Sequence, residues 1–187
     1  MDLRNWISTE LTAIHDRIDR GIVSVVPSAR WRERTRGLTA PVYVAWHTAR
    51  HHDVAVNAVL RDSREVLDEW RTRVNITSDT WRGLAEGEDH ELVDELDPDA
   101  VGQYLLAVLR STVTWLAEDG VPDLAAIPDS DRALSRLGTP TDRFDWLYSM
   151  WHAKPAHFFL SWEAVGHGFV HLGELTAIRD RMGLSPF

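Results

Sequence analysis

His167-Gly168-Phe169-Val170-His171 sets two histidines four residues apart. On a helix that spacing puts both imidazoles on one side, one turn apart, where they can clasp a single metal ion. A hydrogen-bonded pair in a core has the same spacing, so a third ligand decides between the two. The His51-His52 doublet and His47 are the other candidates. Glu163 and Glu174 lie near the same side of the last helix as His167, and each can orient a histidine, donate a carboxylate or sit on a polar rim. The chain has no cysteine, so any protein-bound metal must use nitrogen and oxygen ligands. Thiol nucleophiles, dithiol redox chemistry and disulfide staples are excluded for the same reason.

These residues need helices to hold them, and the apolar spacing supplies candidates. Leu3, Trp6, Ile7, Leu11, Ile14 and Ile18 recur at helical intervals, with Gly21 as a stop. Ile22 to Pro41 reads as a connection. A second helix is predicted from Ala40 or Pro41 toward Leu60, because proline is tolerated in a first turn. Its packing face gathers Val42, Ala45, Ala49, Val56, Val59 and Leu60, and His52 falls with them. His47 and His51 project to the other side. His52 is therefore the preferred third ligand and His47 the runner-up, with His51 facing solvent or supporting a ligand from behind. His52 can equally be a core hydrogen bonder.

Residues 62–74 extend the second helix or form a short companion, and the acidic, turn-rich stretch 75–97 is anchored by Trp81 and Leu84. A third long helix runs from Pro98 to about Ala117, with breaks at Gly120 and Pro122. After a long connection comes a short aromatic helix with Phe144, Trp146, Leu147 and Trp151. Pro155 opens the last helix, which reaches Met182 before Gly183 and is expected to be central, since apolar residues cover most of its circumference. Four long helices without strand alternation or repeats give an all-α, antiparallel four-helix bundle with long connections, in one domain spanning 1–187.

The two histidine-bearing segments, Trp46-His47-Thr48-Ala49-Arg50-His51-His52 and Trp162 through Leu175, together resemble the DinB-like superfamily, including its DUF664-type and mycothiol-dependent branches. The resemblance covers almost the whole chain. It implies a four-helix bundle binding a divalent metal through one histidine of the second helix and a pair four apart on the last, here His52, His167 and His171. Zinc or nickel is implied, with a small-molecule thiol such as mycothiol attacking a small electrophile in a transferase or isomerase reaction. A catalytically silent metal-binding or structural bundle, stabilised as a homodimer, is one alternative. A metal-dependent hydrolase is the other.

Composition bounds the partners. Lys plus Arg total 20 against 29 Asp plus Glu, a net charge of -9, which opposes general attraction to nucleic acid or an anionic membrane. No apolar run reaches the roughly 20 residues of a membrane helix, and no leader pattern opens the chain, so a cytoplasmic location is expected. Of the nine tryptophans, most should be core anchors, while Trp46 and Trp162 accompany the ligand segments. Arg50 is expected in solvent or in an ordinary salt bridge. Trp81, His90, His152 and His157 can line an open end without a positional argument that makes them site residues.

Overall fold

In the computed structural model, which describes residues 3–77, 79–118 and 123–185, the element at the centre is the second long helix. All of α2, Pro41–His52, is buried, polar positions included. The last helix was expected there. It is instead partly at the surface, with Val170 58% exposed and Trp162 47% exposed. Apolar coverage of a helix measures how much it can bury, and α2 shows that a helix with five polar or charged residues can be buried on every side if partners surround it.

Those partners are helical, and no strand is present among the described residues. α1, Leu3–Ile18, does not stop at Gly21 but continues as a wider π winding through Asp19–Val23. α2 likewise passes into a π winding over Asp53–Leu60, so the helical run reaches Leu60 as its sequence predicts. The short companion is α3, Leu67–Trp70, followed by α4, His90–Glu95, and by the long α5, Pro98–Glu118. The break expected at Gly120 and Pro122 lies outside the described residues. α6, Ser130–Arg136, and α7, Thr141–Trp151, fill the next connection. α8, Ala156–Phe158, then leads through a π winding at Phe159–Gly166 into α9, His167–Arg181.

α2 packs on α5 and on α9, while α1 packs on the same two helices from the other side. Ile7, Leu11, Ile14, Ala45, Ala49, Leu105, Leu109, Leu175 and Ile178 belong to the resulting core. A second apolar cluster joins Val54, Ala55, Trp81, Phe144, Leu147, Trp151 and Phe159, fixing α7 and the 81–84 segment against the two facing π windings.

A buried polar knot fastens the connection after α2. Asp53, fully buried, accepts from Tyr104 Oη at 2.6 Å, Asn57 Nδ2 at 2.7 Å and the backbone N–H groups of Val66 and Leu67 at 2.9 Å. Arg50 is also fully buried and donates to Glu65 Oε1 at 2.7 Å, between the rings of Trp46 and Trp81. Its salt bridge is therefore internal, and no substrate role is needed to explain it. Asp53→Ala leaves the Val66 and Leu67 N–H groups and the Tyr104 hydroxyl without acceptors and should cost about 3 kcal/mol. Urea unfolding checks this, and an unchanged midpoint would refute the knot as a stabiliser.

Candidate metal centre

The site is built from two histidine pairs facing each other. His47 and His51 stand one turn apart on α2, and His167 and His171 one turn apart on α9. Ring centroids lie 4.6 Å apart for His47 and His51, 4.7 Å for His51 and His167, 4.8 Å for His47 and His171, and 4.4 Å for His167 and His171. One ligand-capable atom from each of His47, His51 and His167 falls within 4.8 Å of the other two.

Backbone carbonyls decide which nitrogen each ring offers. A carbonyl only accepts, so a ring nitrogen bonded to it must carry the proton. His47 Nδ1 donates to Gly83 O at 2.7 Å, and His51 Nε2 donates to Leu84 O at 2.8 Å. Trp46 Nε1 donates to the preceding carbonyl, Arg82 O, at 2.8 Å, and the Tyr43 hydroxyl reaches the Ala85 and Gly87 carbonyls. The 82–87 segment thus lays a row of carbonyls along α2. Gly83 permits this: its φ is +85°, and an added Cβ would lie 2.6 Å from Trp46 Cδ1.

The opposite nitrogens are left bare. His47 Nε2, His51 Nδ1 and His167 Nδ1 are buried and have no hydrogen-bond partner. On α9, His171 Nδ1 donates to Glu174 Oε2 at 2.9 Å, and His171 Nε2 sits 3.0 Å from His167 Nε2. With its proton toward Glu174, His171 accepts from His167, which exposes the His167 Nδ1 lone pair. Histidines whose second ring nitrogen donates to a carbonyl or carboxylate are the usual ligands of metal ions. Burial also keeps the His47 and His167 rings neutral. It lowers His47 to about 3, helped by the neighbouring His51, and it lowers His167 strongly with added repulsion from His51 and His171. Protons then do not compete for His47 Nε2 and His167 Nδ1 at neutral pH. Donor type, orientation and protonation all fit a divalent ion.

The structure distributes the expected ligands differently. His167 is in the cluster, and His171 lies against it. His52 is not brought to the triad: its Nε2 lies 2.8 Å from Thr112 Oγ1 on α5, and burial lowers it to about 4. His51 is not solvent-facing but 5% exposed and in the centre. Sitting opposite the α5 face meant facing α9 and the 82–87 carbonyls, because α2 has no solvent side. The readable signal was the match between the i,i+4 pair at 47 and 51 and the pair at 167 and 171.

No family model matches the chain, and no curated protein matches it. A crystal structure described as a conserved protein of locus from Enterococcus faecalis matches with a TM-score of 0.68 over 98% of this chain and 99% of that one. At 16% identity the likeness shows the fold alone. The centre's chemistry therefore rests on its own residues.

Around the cluster the walls differ. The mouth is a cavity of about 50 Å³ bordered by Tyr43, His47, Glu86, Glu88, His171 and Glu174. Burial raises Tyr43 to about 12, with Asp89, Glu86, Glu88 and Glu174 adding negative potential. α7 leaves helical geometry at Phe144, two residues before Trp146, whose 37% exposed indole lies 6.2 Å from the His51 ring. Trp162 is at the surface beside Gly166, and Trp46 is fully buried. His90, His152 and His157 are exposed, with partners at Glu88, Asp131 and Leu124 O.

Proposed function

We propose that this chain is a DinB-like four-helix-bundle metalloprotein in which His47, His51 and His167 hold zinc or nickel, and that the centre serves thiol-dependent transfer or isomerisation of a small electrophile. One observation carries the metal reading: the three residues whose ligand atoms converge within 4.8 Å each have a buried nitrogen with no other partner. The thiol reading is supported by the resemblance of the 46–52 and 162–175 segments. Because the chain lacks cysteine, the thiol comes from a small molecule such as mycothiol.

A bound divalent ion supplies Lewis acidity, lowering the pKa of a ligated water or thiol. The chain's residues do the rest. Gly83 and Leu84 carbonyls hold the α2 imidazoles in the tautomers that face inward, and the Glu174–His171 pair holds His167 in the same way. Trp146 offers an apolar flank for the electrophile. Residues 82–87 keep bulk water from the centre.

A hydrolase is the second reading, favoured by the mouth: about 50 Å³ admits water and excludes a larger thiol until the 82–88 segment moves. The deciding experiment incubates metal-reconstituted protein with an activated aryl halide or epoxide, with and without a small thiol. Turnover that requires both metal and thiol is expected. Turnover without thiol would move the assignment to hydrolysis, and a metal-loaded protein inert under both conditions would be a binding or structural bundle.

A further inference from the structure

We infer that the outer face of α9, with the adjoining flank of α1, is a two-fold interface with a second copy of this chain. Trp162, Gly166, Phe169, Val170, Gly173 and Ala177 follow one another along the outward side of α9 and the π winding before it, and no charged residue falls among them. Trp162 and Val170 are exposed, as is Trp6 on the neighbouring flank of α1. Single exposed apolar side chains are ordinary, but a continuous apolar helix face marks a site of association.

The shape of the face selects the occupant. α1 and α9 run parallel: an added Cβ on Gly168 would touch Ile14, Arg17 lies over the Phe169 ring, and Arg179 Nη1 donates to Gly21 O at 3.1 Å. Toward their C-terminal ends the two helices border a hollow of about 730 Å³, walled by Gly21, Phe169, Leu172 and Gly173 and edged by Arg17 and Arg20. Toward their N-terminal ends they carry the protruding indoles of Trp6 and Trp162. Trp6 precedes Gly21 by 15 residues, and Trp162 precedes Ala177 by the same 15, about 20 Å of helix in each case.

A two-fold axis across the helices lays this surface on itself with its direction reversed, so each protrusion must find a hollow placed symmetrically about the axis. With the axis between residues 13 and 14 of α1, Trp6 of one copy falls opposite Gly21 of the other, and Glu10 opposite Arg17. With the axis between residues 169 and 170 of α9, Trp162 falls opposite Ala177, Gly166 opposite Gly173, and Phe169 opposite Val170. The contact of Gly168 with Ile14 puts the two axis positions level, so one rotation satisfies both helices. Bulky residues then meet small ones, and an acid meets a base. A two-fold axis parallel to the helices would instead set Trp162 against Trp162 and arginine against arginine. In the antiparallel pairing α9 lies between the histidine centre and the second copy, which accounts for apolar residues around most of its circumference.

Sedimentation equilibrium of the full-length protein tests this. At micromolar concentrations the wild type should have twice the 21.3 kDa mass of one chain. An added Cβ at Gly173 meets nothing within 4 Å, so Gly173→Glu leaves the single chain its fold while forcing a carboxylate against Gly166 of the second copy. It should weaken the dimer on the order of a hundredfold. Glu10→Arg should weaken it less, and combining it with Arg17→Glu should restore it, because the pair is exchanged across the axis. A wild type that stays monomeric at the highest concentration reached overturns the inference, as does a dimer indifferent to Gly173→Glu. Assembly beyond two copies, or no restoration by the charge exchange, would overturn the two-fold pairing. Should Gly173→Glu lose helicity by circular dichroism, Val170→Asp replaces it at an exposed position, and a dimer as tight as wild type in that variant overturns the inference.

Discussion

His51→Ala should abolish the thermal stabilisation that a divalent metal gives this protein, and His52→Ala should leave most of it. His51 sits between His47 and His167, with ring centroids 4.6 Å and 4.7 Å away, so its loss removes the central nitrogen of the triad. Losing one of three ligands should weaken binding on the order of a thousandfold, a fraction of the total free energy of a structural zinc site. Metal at a thousandfold its Kd contributes about 4 kcal/mol to wild-type stability. For a chain of this size that is about 8–16 °C in Tm. At the same concentration His51→Ala should show a shift near zero. His52→Ala instead breaks the contact with Thr112 and should lower the melting temperature of the metal-free protein while the metal-induced rise persists. The reverse pattern, with His52→Ala insensitive to metal and His51→Ala responsive, would restore the ligand set expected from the resemblance and remove the triad.

The metal-free protein should lose stability steeply as pH falls from about 6.5 toward 4. Burial lowers His47 to about 3 and His52 to about 4, and it lowers His167 as well. In the unfolded chain these imidazoles titrate near 6.5. Between the two ranges the unfolded chain binds more protons than the folded one, so stability increases with pH there. The contribution is complete above about pH 6.5 and declines as pH drops toward the folded values. At pH 5, His47 and His52 together account for a loss of about 4 kcal/mol, before His167 is counted, against a typical total of about 5–15 kcal/mol. Urea unfolding at a series of pH values measures the slope. His52→Gln keeps a side-chain hydrogen-bonding group near Thr112 and cannot ionise, so it should flatten the slope by about one proton. A stability independent of pH over this window would contradict the neutral, buried imidazoles.

Much of this was legible in the residues. The helical spacing of Leu3 to Ile18, the proline openings at Pro41, Pro98 and Pro155 and the paired histidines of α9 all appear where the sequence places them. The helix-two ligands were harder. Angular position ranks His47 and His51 as far from the apolar face, which reads as exposure only if the helix has a solvent side. What covers that side is a turn-rich segment more than thirty residues later, whose contribution is made by carbonyl groups every residue possesses. No side-chain pattern encodes it beyond Gly83. Glu163 was visible as a polar residue on the right face, but its meeting with His51 depends on the π winding of 159–166, which straight-helix spacing does not represent.

That row of carbonyls also determines where the electronic character of the centre can be altered. The N–H groups of His47 and His51 are oriented by peptide units, so residue 84 can exchange its buried side chain for another apolar one of similar size without changing what it gives to the imidazole. Residue 83 has no such freedom, since its backbone angle and its distance from Trp46 admit glycine alone. The basicity of two ligands is thereby tied to the course of one stretch of main chain. Rotation of the 83–84 peptide plane would retune His47, and rotation of the 84–85 plane His51, without altering a ligand's identity.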